Sequence, residues 1–327
     1  MIARRRFVAG LGAAAAWPVS ARAQSLKKHR IGFVGLTNPS PAHMARLAGL
    51  ISGLRDFGYE DGRNMTLEVK WADNYYSRLP EIFAEMVRIK VDVIVTHGTP
   101  GVIAAKKATS TIPIIFAVAG DALASGLIAS LARPGGNVTG LTYFNPELAA
   151  KRLELLKEIL PHLREVGVLM NPANPMNEPI IPAMRNTAEP LNLRLHQIAG
   201  RVDDAKFDSV FAEMGAKRVE AFVVLDDPML IAMAPVVAKR ALAERLPSCG
   251  WPEFAEVGGL IAYGIEFVSL YRYAAALVHK VLNGAKPAEL PVERATRFFM
   301  VVNRQTADTL GLHVPDILLT RADQVIE

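Results

Sequence analysis

The residues with chemistry to offer are few and dispersed. Seven histidines stand at 29, 43, 97, 162, 196, 279 and 313, without metal-ligand spacing, and a single cysteine cannot build a zinc cluster, so no metal is expected. No G-x-S-x-G elbow is present. His97 lies in VIVTHGTPG (93–101), where an apolar run breaks into polar and turn-forming residues. As a general base it would need a nucleophile and an orienting group, and the sequence names neither. Gly98-Thr99-Pro100-Gly101 is followed by Lys106-Lys107-Ala108, the wrong spacing for a phosphate loop. Backbone N–H groups at a helix start can nevertheless receive an anionic group such as a carboxylate. Gly10 and Gly12 suggest a dinucleotide loop but lack a preceding strand and the third glycine, and no cofactor is expected. Asp226-Asp227-Pro228 reads as a helix cap with proline in the first turn, which leaves one acid for a ligand amino group. Asn171 and Asn174 are turn residues by type, with the same option. Cys249, the only cysteine, reads as a buried structural thiol.

The elements around these residues alternate. A buried strand at 30–35 precedes a helix whose apolar face is read as Met44, Leu47, Ile51, Leu54 and Phe57. Strands at 65–71, 91–95, 113–116 and 137–141 follow, separated by helical stretches at 79–90, 102–107 and 123–131. The pattern restarts with a helix at 146–160 and strands at 166–170, 193–198, 221–225 and 259–263. Such β-α-β-α order predicts α/β architecture with two doubly wound parallel-sheet lobes. Ligands of open parallel sheets bind at the carboxyl ends of strands. Those ends carry Thr37-Asn38, His97-Gly98-Thr99, Ala119-Gly120-Asp121, Asn171 to Asn174, and Asp226-Asp227, so two facing lobes would enclose a cleft.

Composition narrows the function classes. Of 37 basic residues, four arginines fall within residues 1–23, which hold no acid, leaving 33 (37 less four) against 32 acidic residues. A nearly neutral body gives no steering field for nucleic acid. Residues 1–23 themselves read as an export signal: Arg4-Arg5-Arg6, an apolar run at 7–16, and Ala21-Arg22-Ala23 as a small-residue cleavage site. Paired arginines before Phe7 resemble a twin-arginine signal, with ordinary secretion as the alternative. The apolar run is far short of the ~20 residues that span a bilayer. A periplasmic location after cleavage near Ala23 follows.

Several stretches together resemble one family: LRDFGYEDGRNMTLEVKWAD, RLPEIFAEMVRIKVDVIVTHGTP, STIPIIFAVAGD, SLARPGGNVTGLT, KRLELLKEIL, GGLIAYG and GLHVPDILLTRADQVIE. They look like the exported substrate-binding proteins of ABC transporters, in the branch that includes tryptophan- and tyrosine-type uptake components. The resemblance runs from about 30 to 327 and implies the periplasmic-binding-protein type I fold, two lobes joined by a hinge. It places the first lobe at 26–141 plus about 264–284 and the second at 142–263 plus about 285–327. By motif, ligand contacts are expected from Asn38, Gly98, Thr99 and Asp121 in the first lobe, and from Asn171, Asn174, Asp226 and Tyr263 opposite. Trp251 and Tyr263, with Tyr143 and Phe144, offer aromatic surface. Two residues depart from the family pattern: His97 stands where a small residue is frequent, and Ala122 follows Asp121 where proline is common.

The resulting expectation is a monomeric, non-enzymatic receptor. It would capture an amino acid, aromatic acid or similar carboxylate by hinge closure and deliver it to a membrane permease. A ligand sensor of the same fold that feeds a signalling partner, or an exported enzyme, would use the same cleft.

Overall fold

The computed structural model describes residues 28–200 and 207–327. The expected export signal, residues 1–23, lies outside the described residues. Strands β1 (His29–Gly35), β2 (Met65–Trp71), β3 (Val93–Thr96), β4 (Ile114–Ala119) and β5 (Val138–Thr142) form a parallel sheet, with helices Pro41–Asp56, Leu79–Arg88 and Gly98–Ala108 as crossovers. β1, β3 and β4 are apolar almost throughout because both faces are covered, as parallel sheets require. The second lobe repeats the plan with β6 (Glu165–Met170), β7 (Arg194–Ala199), β8 (Ala221–Val224), β9 (Ser248–Gly250) and β10 (Ile261–Gly264), again parallel.

The chain then returns. Helix Phe267–Leu282 packs on Pro41–Asp56 in the first lobe, and β11 (Glu293–Arg294) pairs with β5. It crosses again to β12 (Phe299–Asn303), antiparallel to β10 because it arrives from the opposite side, and ends in β13 (Gln324–Ile326). The sheet orders are β11-β5-β4-β3-β1-β2 and β13-β12-β10-β9-β8-β6-β7. The boundary expected near 285 therefore falls too early. Glu293 and Arg294 still belong to the first sheet, and the last crossing lies between 294 and 299.

Two further expectations are corrected. Residues 123–131 form turns rather than a helix, because Gly126 adopts φ +67 and Asp121 caps the turn at Leu123 and Ala124. On helix Pro41–Asp56, Met44 and the following Phe57 are exposed, and the buried residues are His43, Arg46, Leu47, Gly49, Leu50, Gly53 and Leu54. The glycines set this face. A Cβ on Gly53 would stand 2.4 Å from the Arg272 carbonyl oxygen and one on Gly49 2.8 Å from that of Val268, so the partner helix sits directly on the backbone. The rotation carries His43 and Arg46 inward, towards the lobe interface.

Candidate ligand-binding site

Each sheet reverses its strand order once, between β1 and β3 in the first lobe and between β6 and β8 in the second. The carboxyl ends of these strands face one another. After β3 the chain runs His97-Gly98-Thr99 into helix Gly98–Ala108, and after β8 it runs Asp226-Asp227-Pro228 into helix Pro228–Ala232. The two starts touch: a Cβ on Gly98, which has φ +68, would lie 2.9 Å from Pro228 Cγ. Gly98 is thus required for its left-handed backbone and for the close approach.

Between these ends lies a narrow slot. Its cavity volume is only about 30 Å³. Arg46, His97, Gly98, Thr99, Gly120 and Phe267 line it from the first lobe, and Asn145, Asn174, Met176, Asp226, Pro228 and Ile231 from the second, with Val118, Ala119 and Tyr143 completing the wall. Several buried polar atoms here have no hydrogen-bond partner among the described residues: Arg46 Nε, Thr99 Oγ1, and both Nδ2 and Oδ1 of Asn145. Native proteins seldom leave such groups unpaired, since each costs about 1–3 kcal/mol.

The charges are arranged with care for burial. Arg46 is 2 % exposed, stacks its guanidinium 4.0 Å above the Phe267 ring, and reaches Glu253 of the second lobe at 3.3 Å. Burial pushes the Glu253 carboxyl up while Arg46 pulls it down. Arg152 and Asp226 form a fully buried ion pair, with Nη1 2.8 Å from Oδ1 and Nη2 donating to Oδ2 at 3.1 Å. Arg152 also donates to the Tyr263 and Val224 carbonyl oxygens, joining β8, β10 and helix Asn145–Ile159. Asp226 Oδ1 faces Arg152 without hydrogen-bond alignment, so this pair is electrostatic there. Burial and the Asp226 charge hold the neighbouring Tyr143 phenol protonated, well above its ordinary range.

His97 is neutral. Its Nε2 accepts from the Leu36 N–H at 3.3 Å, tying the ends of β1 and β3 together, and its ring stacks on Phe33 beside His43 and Tyr271. Burial, then the Arg46 charge, lowers its pKa to about 3.

Five sequence-expected residues line the slot: His97, Gly98, Thr99, Asn174 and Asp226. Five do not. Asn38 is exposed. Asp121 spends its carboxylate on the turn at 123–124. Asn171 is satisfied internally, accepting from Ala173 N and donating to Asp227. Trp251 packs on Phe254 and borders a separate cavity beside Pro41 and Pro252. Tyr263 contributes its carbonyl to Arg152, with its ring against Phe298. Asn174, although on the wall, directs Nδ2 to Asp227 and accepts from Met176 N through Oδ1. Sequence reasoning missed Arg46 and Asn145 as wall residues, and neither carries a local motif; Phe267 and Met176 carry no signal beyond apolarity.

Cys249 is buried in β9, and burial pushes its thiol up to about 12, as an inert structural thiol requires. Among the described residues, no helix is long and apolar enough to cross a membrane.

Comparison with known proteins places this geometry. A curated tyrosine-binding protein of Clostridioides difficile is 27 % identical over 293 residues, which cover 89 % of this chain and 83 % of that protein. An ABC domain from Streptococcus pneumoniae, solved in complex with L-Trp, is 26 % identical with a TM-score of 0.83, covering 92 % of this chain and all of the other. A conserved domain protein from Vibrio cholerae is 27 % identical with a TM-score of 0.84, covering 91 % of this chain and all of its own. The fold is that of type I periplasmic binding proteins. The family description "ABC transporter substrate binding protein" matches residues 36–326, and the chain belongs to that family of importer solute-binding proteins.

Proposed function

We propose that this protein is an exported, monomeric, non-catalytic receptor that captures an amino acid or closely related carboxylate in the interlobe slot and passes it to a membrane permease. The observation that carries the reading is the set of buried polar atoms without partners around that slot, at Arg46, Thr99 and Asn145. A ligand carboxylate at the Arg46 guanidinium and the start of helix Gly98–Ala108 would receive charge-assisted hydrogen bonds. An ammonium group would find Asn145 Oδ1 and the Asp226 carboxylate. Phe267, Met176 and Ile231 supply an apolar wall for the side chain. The tyrosine- and tryptophan-binding relatives support this class. The basic, apolar and small-residue succession of residues 1–23 supports export to the periplasm.

The test is calorimetric titration of the purified mature protein with the twenty amino acids and with aromatic acids lacking the amino group. At least one carboxylate should bind, and Arg46→Gln should weaken it at least tenfold, the scale of a lost charge-assisted hydrogen bond. Binding that survives methyl-esterification of the ligand and Arg46→Gln alike would overturn the assignment. N-terminal sequencing of periplasmic protein checks cleavage after about Ala23.

A further inference from the structure

Among the described residues, a side-chain hydrogen bond outside the slot joins the two lobes. Tyr76, in the 3-10 turn Tyr76–Arg78 of the first lobe, donates its hydroxyl to Asp227 Oδ2 at 2.8 Å in the second. Neither side chain lines the slot; the Tyr76 ring instead borders an apolar groove shared with Pro100, Ala104, Ala173 and Pro175. Asp227 is the best-connected carboxylate of the cleft. It caps Pro228–Ala232 by accepting from Met229 N at 2.9 Å and Leu230 N at 3.3 Å, and accepts from Asn171 at 3.2 Å and Asn174 at 2.9 Å. All four of those donors are its own lobe's, so Asp227 is held in place whether the cleft is open or shut. Of Asp227's bonds, the one from Tyr76 is the one that opening must break.

We infer that Tyr76 and Asp227 form an interlobe latch that populates the closed form before ligand arrives, and that Tyr76 sets ligand affinity without touching ligand. The latch has three parts. The acceptor is pre-positioned by four bonds, so little side-chain freedom is lost when the latch forms. The donor stays protonated, because burial and the nearby Asp227 charge raise the Tyr76 phenol well above its ordinary range. The bond is charge-assisted, the stronger kind. For a receptor that binds ligand only when closed, apparent affinity scales with the closed fraction of the free protein. Every ligand then gains the same factor from the latch, and selectivity remains with the slot. This inference rests on the hinge-closing receptor reading for its affinity arm only.

Tyr76→Phe removes the hydroxyl and keeps the ring in its groove. Dyes placed through Glu81→Cys and Glu178→Cys, exposed on the first and second lobes, report closure by single-molecule energy transfer, and the buried Cys249 does not compete for label. Without ligand, the parent should show a populated closed state, and Tyr76→Phe should lower the closed-to-open ratio about tenfold. Affinities for L-tyrosine and L-tryptophan, whichever bind, should fall by the same factor with their order preserved. A parent that is wholly open without ligand, or an unchanged distribution in Tyr76→Phe, overturns the latch. A changed ratio of the two affinities would place Tyr76 in contact with ligand and also overturn it. If neither amino acid binds but the ligand-free distribution shifts, the ligand assignment fails and the latch stands.

Discussion

The neutral, buried His97 makes stability depend on pH in a direction and amount that can be worked out. In the folded chain its pKa is about 3, against 6.5 for the unfolded residue. Protonating it would desolvate a cation beside Arg46 and convert Nε2 from acceptor to donor, losing the bond from Leu36 N. Between those two values the unfolded state binds more protons than the folded one, so stability is fully present above pH 6.5 and falls as pH falls towards 3. From pH 7.5 to 5.0 the loss attributable to this group is about 2 kcal/mol, at about 1.4 kcal/mol per pH unit once below 6.5. His43, also pushed down by burial and by Arg46, adds in the same sense. Asp227 and Glu253, pushed up mainly by burial, act in the opposite sense. The total profile therefore mixes contributions, and the difference from a variant isolates one. His97→Gln retains an acceptor for Leu36 N and does not titrate. Urea unfolding at pH 7.5, 6.0 and 5.0 should show wild type losing about 2 kcal/mol relative to His97→Gln across the series. Parallel stability curves for the two proteins would refute the argument, because they require His97 to have an ordinary pKa in the fold.

Three further outcomes follow from the geometry. Arg152→Met leaves Asp226 buried without its cation and should cost about 3–5 kcal/mol in chemical denaturation, the usual range for half of a buried pair. Thr99→Val replaces a hydroxyl that has no partner among the described residues, so unfolding free energy should move by less than about 1 kcal/mol while ligand affinity falls several-fold, read by denaturation and calorimetry on one preparation. Gly53→Ala places a Cβ against the Arg272 carbonyl oxygen and Ala275 Cβ and should destabilise by about 1–3 kcal/mol, measured by thermal or urea unfolding.

The alternation of strands and helices was legible because parallel strands covered on both faces leave unbroken apolar runs, such as 93–95 and 114–119, that need no knowledge of their partners. The segment 93–101 was legible for a related reason: an apolar run that stops in His-Gly-Thr marks a strand end, and strand ends are where such sheets bind. Residues that depend on pairing were not legible. Asn171, Asn174 and Asp227 look alike in sequence to residues awaiting a ligand, yet they satisfy one another. Asp226 resembles a free acid only until Arg152, 74 residues earlier, is brought against it. Helix Pro41–Asp56 shows why Arg46 was overlooked. Its buried stripe is marked by Gly49 and Gly53, which carry almost no hydrophobic signal, while the exposed Met44 and Phe57 carry much. A periodicity reading therefore turns the helix the wrong way and puts Arg46 in solvent.

That misreading has a chemical basis. A cation can be buried at a lobe interface only if its surroundings compensate it, and every compensating group for Arg46 comes from elsewhere in the chain: the Phe267 ring beneath it and Glu253 across the cleft. Glu253 is still about a quarter exposed and belongs to the opposite lobe, so opening the cleft separates it from Arg46. The charge pair that neutralises Arg46 in the closed form is thus also one that opening breaks. An incoming carboxylate would meet Arg46 when it is least compensated, and closure would bring Glu253 back only after the ligand has been bound. On the proposed reading, ligand charge and lobe closure would be coupled through this one side chain, whose Nε has no hydrogen-bond partner among the described residues.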